Sequence, residues 1–228
     1  MSNILFIGNY RSAGGWAEAC INYIHALSTT KHNITIRPVY MDSTHTEYID
    51  PRLLMLEQNR YDKYDIIIQK VLPNILEFTV PAKRNIHLCV FETANLKYTG
   101  WPRYINFMDE LWVPSEQEKL DRVNDKINIP INIVKEPIDT DKFTYEYDQT
   151  NWRKFGLHDN FVFYFIGEYI PRKNIKALLT AFHREFSTNE PVDLLIKTNK
   201  GNMDMRKLAS QIDQDLAKIK QTYVYIII

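Results

Sequence analysis

The sequence predicts an α/β protein built from two parallel, doubly wound sheets, the second of which is incomplete. Short apolar segments typical of buried strands alternate with amphipathic segments of helical length along the 228 residues. This alternation stops in the polar segment 136–151, and a new strand–helix series begins at Phe161. We therefore expect an N-terminal domain over residues 1–145 and a partial C-terminal domain over residues 146–228.

The first half of the chain contains one predicted strand after another. The β-branched and aromatic run at 3–8 predicts a buried strand, and the segment 14–27 predicts the helix that follows it. Further strands are predicted at 34–40, 65–69, 85–91, 110–113 and 131–134. Because loops with proline and polar stretches of helical length separate these strands, we expect a parallel sheet with helical connections.

The second half opens on the most informative segment of the chain, residues 161–186. Phe161, Phe163 and Phe165 alternate with other apolar residues, which predicts a buried parallel strand at 161–167. A helix should follow, because five apolar residues share one helical face: Ile175, Leu178, Leu179, Phe182 and Phe186. The remaining predicted elements are a strand at 192–198, a helix at 203–220 and a strand at 223–228.

Several short motifs occur in a fixed order along the chain. The turn before the helix at 175–186 reads Pro171-Arg172-Lys173-Asn174, and the helix contains Ala181-Phe182 and Glu185-Phe186. The first half contains Val90-Phe91-Glu92-Thr93, Trp101, DELWVPS at 109–115 and PIDTDKF at 137–143. In this combination the chain resembles the GT-B-fold glycosyltransferases related to glycosyltransferase family 4, and the resemblance covers nearly all of its length.

The resemblance implies a GT-B-like fold with two Rossmann-like domains. The N-terminal domain would hold a glycan, lipid or protein acceptor, and the C-terminal domain would bind a nucleotide diphosphate sugar as the donor substrate, with no other cofactor. It also implies transfer of the sugar with retention of configuration. Family members have a pair of glutamates further along the second domain, and that pair does not occur in this sequence.

Because the glutamate pair is missing, other interpretations of the function stay open. The chain could be a truncated enzyme, one half of a split enzyme, or a non-catalytic binding or scaffold protein derived from a glycosyltransferase. A nicotinamide oxidoreductase is disfavoured because no GxGxxG follows the first predicted strand. The donor sugar, the nucleotide and the acceptor are not specified by the sequence.

Arg172 and Lys173 are the first candidate catalytic residues. They lie where the helix at 175–186 should begin, and unpaired backbone N–H groups and the helix dipole favour an anion at that place. Sugar transfer leaves negative charge on the departing diphosphate, so fixed cations there would lower the barrier. We expect Lys173 to be the first choice for contact with the diphosphate and Arg172 the second. The alternative is that both side chains are simply solvated. Glu168, in the same turn, should repel a diphosphate.

Other candidate site residues follow the predicted strands. Gly14 and Gly15 would let the backbone approach a ligand closely, and Arg11 could contact the same ligand; a tight turn and a solvated arginine are the alternatives. Glu92 follows a strand at its carboxyl end, where open α/β sheets bind ligands. It would either orient the acceptor hydroxyl or cap the next turn. Lys197 could contact the nucleotide by the same rule, or lie in a surface loop.

Composition limits the remaining possibilities. The 28 basic and 28 acidic residues show no bias towards nucleic acid. Cys20 and Cys89 lie in apolar segments without a CxxC partner, so we expect buried thiols and a cytoplasmic location. His87 lies within a predicted strand and is expected in the core.

The motif search and the end of the chain give three further expectations. No HExxH, Walker or CxxC pattern occurs, and we predict no metal site. No segment approaches the length of a membrane span, although peripheral membrane contact stays open. The apolar, uncharged run at 223–228 should promote self-association or bind a partner chain.

Overall fold

The structure is a computed structural model that describes residues 1–12, 14–41, 50–143, 157, 160–201 and 203–223. The chain divides into two compact units, Met1–Phe143 and Thr144–Ile228. We describe each unit by itself and call them the N-terminal and the C-terminal unit.

The described part of the N-terminal unit contains a parallel sheet of six strands flanked by helices. The strands are β1 Asn3–Gly8, β2 Asn33–Pro38, β3 Ile66–Lys70, β4 Arg84–Leu88, β5 Glu110–Val113 and β6 Ile131–Ile133. The helices are α1 Gly15–Ser28, α2 Pro51–Gln58, α3 Trp101–Ile105 and α4 Glu116–Asn124, with 3-10 turns at Pro73–Ile75 and Thr140–Lys142. The predicted strands of this half are confirmed, with small shifts at their ends.

The strand order β2-β1-β3-β4-β5-β6 makes this sheet Rossmann-like. The chain leaves β1 towards one edge to form β2, and then returns across β1 to form β3. Ligands of open α/β sheets bind at such a reversal, at the carboxyl ends of the strands. The sheet therefore has a potential binding crevice where β1 ends at Gly8 and β3 ends at Lys70.

Apolar side chains cover both faces of the sheet, as parallel strands require. One face packs Phe6 and Ile36 against Cys20 and Ile24 of α1. Part of the opposite face packs Leu111 against other buried side chains, including Ile105 of α3. Local signals fix the helix ends: the Ser115 side chain accepts a hydrogen bond from the Glu118 amide at the start of α4.

The described part of the C-terminal unit is a strand–helix–strand–helix arrangement. Strands β7 Phe161–Ile166 and β8 Val192–Lys197 pair in parallel, and helices α5 Ile175–Glu185 and α6 Met205–Tyr223 follow them. A 3-10 turn at Pro171–Lys173 precedes α5. The core of the unit is formed by Tyr169, Ile175, Leu179 and Leu208, with Phe165, Leu194 and Ile196 packed against it.

The structure corrects three expectations about this unit. β7 is not buried, since Phe161, Tyr164 and Ile166 are 66%, 68% and 67% exposed. In the described residues it has one paired neighbour, β8, and helices pack on one face only. Tyr223 belongs to α6 and not to the strand predicted at 223–228, whose other residues, 224–228, lie outside the described part.

The third correction concerns the start of α5. Arg172 and Lys173 belong to the 3-10 turn and not to α5, because Asn174, which separates the turn from the helix, adopts a left-handed conformation (φ 52°).

Among the described helices, we find none that is both long enough and apolar enough to cross a membrane.

Candidate functional site

A pocket of about 350 Å³ lies in the C-terminal unit at the carboxyl ends of β7 and β8. Its lining comes from the loop after β7, the start of α5, the loop after β8, and α6. These residues are Tyr169, Ile170, Pro171, Asn174, Ile175, Lys176, Lys200 and Gln211. We call this the strand-end pocket. Its position is the one at which parallel α/β sheets bind ligands.

Two lysines of the strand-end pocket are held by residues of α6. Lys176 Nζ lies 3.0 Å from Asp215 Oδ1, and the Tyr169 hydroxyl donates to Asp215 Oδ2 at 2.8 Å. Lys200 Nζ donates to the neutral side chain of Gln211 at 2.9 Å. Asp215 thus balances the charge of Lys176. Among the described residues, no carboxylate forms an ion pair with Lys200. The pocket therefore carries excess positive charge.

Ionisation states in the pocket support this charge assignment. Burial raises the pKa of Asp215, but the hydrogen bonds from Lys176 and Tyr169 outweigh burial and hold its pKa below the usual value. Burial, together with the bond to Asp215, raises the pKa of Tyr169 to about 12. At neutral pH Asp215 is therefore a carboxylate and Tyr169 a neutral hydroxyl.

The backbone at the start of α5 offers further donors. The amides of Lys173 and Asn174 are used within the 3-10 turn, because they donate to Ile170 and Pro171 at 3.1 and 3.0 Å. α5 has no side-chain cap at Asn174. Among the described residues, the amides of Ile175 and Lys176 are therefore the helix-terminal donors that remain for a ligand. Both residues line the pocket.

Arg172 and Lys173 lie beside the strand-end pocket without lining it. Both are exposed, between the lining residues Pro171 and Asn174. Glu168 has a structural contact that the sequence did not suggest, because its carboxylate accepts a hydrogen bond from the Gly201 amide at 3.1 Å. It thereby ties the loop after β7 to the loop after β8.

Lys197 lies apart from the strand-end pocket. It is exposed at the end of β8, and side-chain alternation places it on the sheet face opposite Leu194 and Ile196, which pack against the helices. Lys200, three residues later, lines the pocket instead. The sequence analysis selected the end of β8, beside which the pocket lies, but did not single out Lys176, Lys200 or Asp215. Lys200, three residues after the end of β8, could have been found by the same strand-end rule.

The glycine-rich turn of the N-terminal unit lies at the start of α1, as expected. Gly14 is the residue before α1 and has a φ of 113°, which favours glycine. A side chain at Gly14 or Gly15 would meet no atom within 4 Å, so packing does not require either glycine. Arg11 contacts the Glu57 carboxylate through two nitrogens. A ligand anion would have to compete with Glu57 for Arg11.

The loop after β4 places Glu92 at the surface. β4 ends at Leu88, three residues earlier than predicted, and Glu92 is exposed. The buried carboxylate of this region belongs to Glu118 of α4, which accepts a hydrogen bond from the Phe91 amide. Burial raises the pKa of Glu118. The sequence did not single out Glu118.

A buried lysine at the reversal of the sheet is the main feature that the sequence analysis missed. Lys70 ends β3, and its Nζ lies 3.2 Å from Glu136 Oε1. The ammonium group also lies 5.0 Å from the ring centre of Trp16 and 5.6 Å from that of Tyr23. A lysine two residues after the apolar run Ile66-Ile67-Ile68 could have signalled it, because a cation at the end of a buried strand needs a partner.

His87 and both cysteines lie in the core, as predicted from their apolar segments. Burial lowers the pKa of His87 to about 4, and its Nε2 donates to the Val71 carbonyl at 3.0 Å. Burial raises the pKa values of Cys20 and Cys89 to about 12. At neutral pH His87 is therefore uncharged, and both thiols are protonated and poor nucleophiles.

Within the described residues, no group of three or more His, Cys, Asp or Glu side chains has an arrangement that could hold a metal ion. A scan against protein-family models and a search of the curated proteins found no match to this chain. Any functional assignment therefore rests on the motifs and on the geometry described above.

Proposed function

We propose that this chain is a glycosyltransferase of the GT-B type. It would bind a nucleotide diphosphate sugar through the C-terminal unit and transfer the sugar to a glycan, lipid or protein acceptor bound by the N-terminal unit. One observation carries the proposal: the strand-end pocket directly adjoins the Arg172-Lys173-Asn174 segment on which the resemblance depends.

The charges of the strand-end pocket fit a diphosphate. Lys200 supplies an amine that no described carboxylate neutralises, and the amides of Ile175 and Lys176 supply oriented backbone donors. Fixed donors of this kind stabilise the charge that develops on a departing diphosphate. Lys173 and Arg172, on the adjoining turn, would contact the outer phosphate oxygens.

The pocket also offers room for part of a nucleotide. Its volume of about 350 Å³ lies at the lower end of the range for small-molecule sites. Ile170, Pro171 and Ile175 supply apolar surface beside the lysines. Asp215, which Tyr169 and Lys176 already hold, would fix the Lys176 side chain rather than meet the ligand directly.

In the N-terminal unit, the reversal of the sheet is the place we assign to the acceptor. Gly14 and Gly15 follow β1 at its carboxyl end, and Glu92 follows β4, the strand beside β3. Lys70 and Glu136 lie at the same edge of the sheet. Glu92, which is exposed, would orient the acceptor hydroxyl.

A non-catalytic binding protein, or one half of a split enzyme, is the second candidate. The exposure of Tyr164 and Ile166 on β7 favours it, because a complete donor domain covers both faces of its parallel sheet. This candidate shares the fold of the first and differs in whether a nucleotide sugar binds.

Thermal shift and calorimetry with a panel of nucleotide diphosphate sugars test the proposal. We expect one of them to stabilise the protein. Lys200→Gln and Lys173→Ala should each weaken its binding by roughly tenfold or more, because each removes a charge-assisted contact. Lys207→Gln, an exposed lysine of α6 outside the pocket, is the matched control and should bind as the parent does. If no nucleotide sugar binds the parent, the second candidate stands; if Lys200→Gln and Lys173→Ala bind like the parent, the site lies elsewhere.

A further inference from the structure

A second pocket, of about 300 Å³, lies in the N-terminal unit on β1 and the edge strand β2. Residues at the end of α2 and in the loop before β3 complete it. Its lining is Leu5, Thr35, Ile36, Arg37, Pro38, Glu57, Arg60 and Tyr64. We call it the β1–β2 pocket. It shares no residue with the strand-end pocket.

Thr35 points to a ligand in the β1–β2 pocket. Its side chain is buried, with the residue 3% exposed, and its Oγ1 has no hydrogen-bond partner. Leu5 lies opposite Thr35 in the register of β1 and β2, and both line the pocket. Buried hydroxyl groups are almost always hydrogen-bonded. The Thr35 hydroxyl has no hydrogen-bond partner within the described part of the protein, and Thr35 lines the pocket. A ligand in the pocket can supply the missing partner.

The charged groups around the β1–β2 pocket leave it basic. Both oxygens of Glu57 are occupied, one by the Tyr10 hydroxyl and Arg11 Nε and the other by Arg11 Nη2. Arg60 Nη1 donates to the backbone carbonyls of Glu57 and Asn59, the latter at 2.7 Å. Arg60 thus keeps its full charge, with no carboxylate of the described residues at ion-pair distance. Its position is fixed by the backbone.

A second guanidinium lies on the same side. Arg37 is two residues after Thr35 on β2, so the two side chains share one face of the strand. Arg37 forms an ion pair with Glu77 at 2.6 Å, and both side chains are largely exposed. Arg37 is therefore balanced, and Arg60 supplies the excess charge.

We propose that the β1–β2 pocket is a binding site for a small metabolite that carries an oxyanion, a phosphate or a carboxylate. Arg60 pairs with the oxyanion through the nitrogens that the backbone leaves available. The Thr35 hydroxyl donates to an oxygen of the same ligand, and Leu5, Pro38 and Tyr64 contact its apolar part. The site lies in a different unit from the strand-end pocket and does not depend on the proposed transferase activity.

Calorimetry with inorganic phosphate and, separately, with sodium acetate tests the site on the whole chain. We expect one of the two anions to bind in a way that depends on Arg60, and that anion identifies the oxyanion class. Phosphate bound at the strand-end pocket would not depend on Arg60. Arg60→Gln should weaken that binding by about tenfold, because a charge-assisted hydrogen bond is lost. Lys63→Gln, an exposed lysine of the same loop that does not line the pocket, is the matched control and should bind as the parent does.

Thr35→Val separates a ligand contact from general damage. Valine has nearly the same shape, so the unliganded variant should melt at the parent's temperature or above it, because a buried unpaired hydroxyl is removed. The same variant should lose most of the stabilisation that the anion gives to the parent. Nucleotide-sugar binding, measured in parallel, should not change.

Three results would overturn the proposal. The first is that neither anion binds the parent at about 10 mM, which exceeds the Kd of ordinary weak sites. The second is that Arg60→Gln and Thr35→Val bind like the parent. The third is that Lys63→Gln loses as much affinity as Arg60→Gln, which would mean that only general surface charge attracts the anion.

Discussion

The ammonium group of Lys70 lies 3.2 Å from a carboxylate oxygen of Glu136, and the two groups differ sharply in exposure. The side chain of Lys70 is 2% exposed, whereas that of Glu136 is 42% exposed. The contact joins the end of β3 to the segment after β6. A buried cation thus depends on a carboxylate that water still reaches.

This asymmetry predicts unequal costs for the two members of the pair. Glu136→Gln leaves the buried charge of Lys70 unpaired and should lower the free energy of unfolding by roughly 1–3 kcal/mol. Lys70→Met removes the buried charge and leaves a carboxylate that water can solvate, so its cost should be smaller. Denaturant unfolding of both variants and of the double variant measures the difference. A larger cost for Lys70→Met would mean that the lysine contributes mainly through its contacts with Trp16 and Tyr23.

His87 predicts a loss of stability in mild acid. Its pKa falls from an ordinary 6.5 to about 4 on folding, because the ring is fully buried. Below pH 6.5 the unfolded chain binds a proton at this ring and the folded protein does not, so stability falls as the pH drops from 6.5 towards 4. At its steepest, the free energy of unfolding should fall by about 1.4 kcal/mol per pH unit, which is the value for the uptake of one proton.

His87→Gln tests this assignment. The glutamine amide can still donate to the Val71 carbonyl but does not titrate. The difference in unfolding free energy between parent and variant should therefore shrink from pH 7 to pH 4. Parallel curves for the two proteins over this range would show that His87 does not cause the loss.

Glu168 predicts opposite effects for two substitutions. Glu168→Gln can still accept the Gly201 amide but lacks the charge, so a diphosphate in the strand-end pocket should bind more tightly. Glu168→Ala removes this hydrogen bond between the two loops, so the Gly201 amide should exchange its hydrogen faster and binding should weaken. Hydrogen exchange and calorimetry separate the two effects. If both variants bound the ligand with the affinity of the parent, Glu168 would have no part in ligand binding.

The end of the chain predicts self-association. Residues 224–228, VYIII, contain no charge, proline or glycine, and an apolar segment of this kind favours contact with another chain. Light scattering at several concentrations should therefore show larger species for the whole chain than for a chain ending at Tyr223, which keeps all of α6. A whole chain carrying Ile226→Lys and Ile228→Lys controls for length. Monomers in all three samples would contradict the prediction.

Local pattern was sufficient to locate most elements of this protein. Apolar alternation located β1 to β8, and the buried positions of His87, Cys20 and Cys89 followed from their apolar neighbours. The resemblance directed attention to Arg172 and Lys173, and the structure has a pocket beside them. Local pattern failed for β7, whose apolar run suggested burial although its outer face is exposed. Apolar composition shows that a strand can be buried, but not whether another element covers it.

The sequence by itself determined the alternation of strands and helices, because periodicity and turn residues act over a few neighbouring positions. Only the tertiary structure decided which distant residues meet. Lys70 reaches Glu136, and Lys176 reaches Asp215. Thr35 faces the same pocket as Arg60 because β2 lies at the edge of the sheet and the loop before β3 passes beside it. Contacts between residues so distant in sequence follow from strand order and helix packing. The free energy of the whole fold selects that arrangement, and local residue spacing does not encode it.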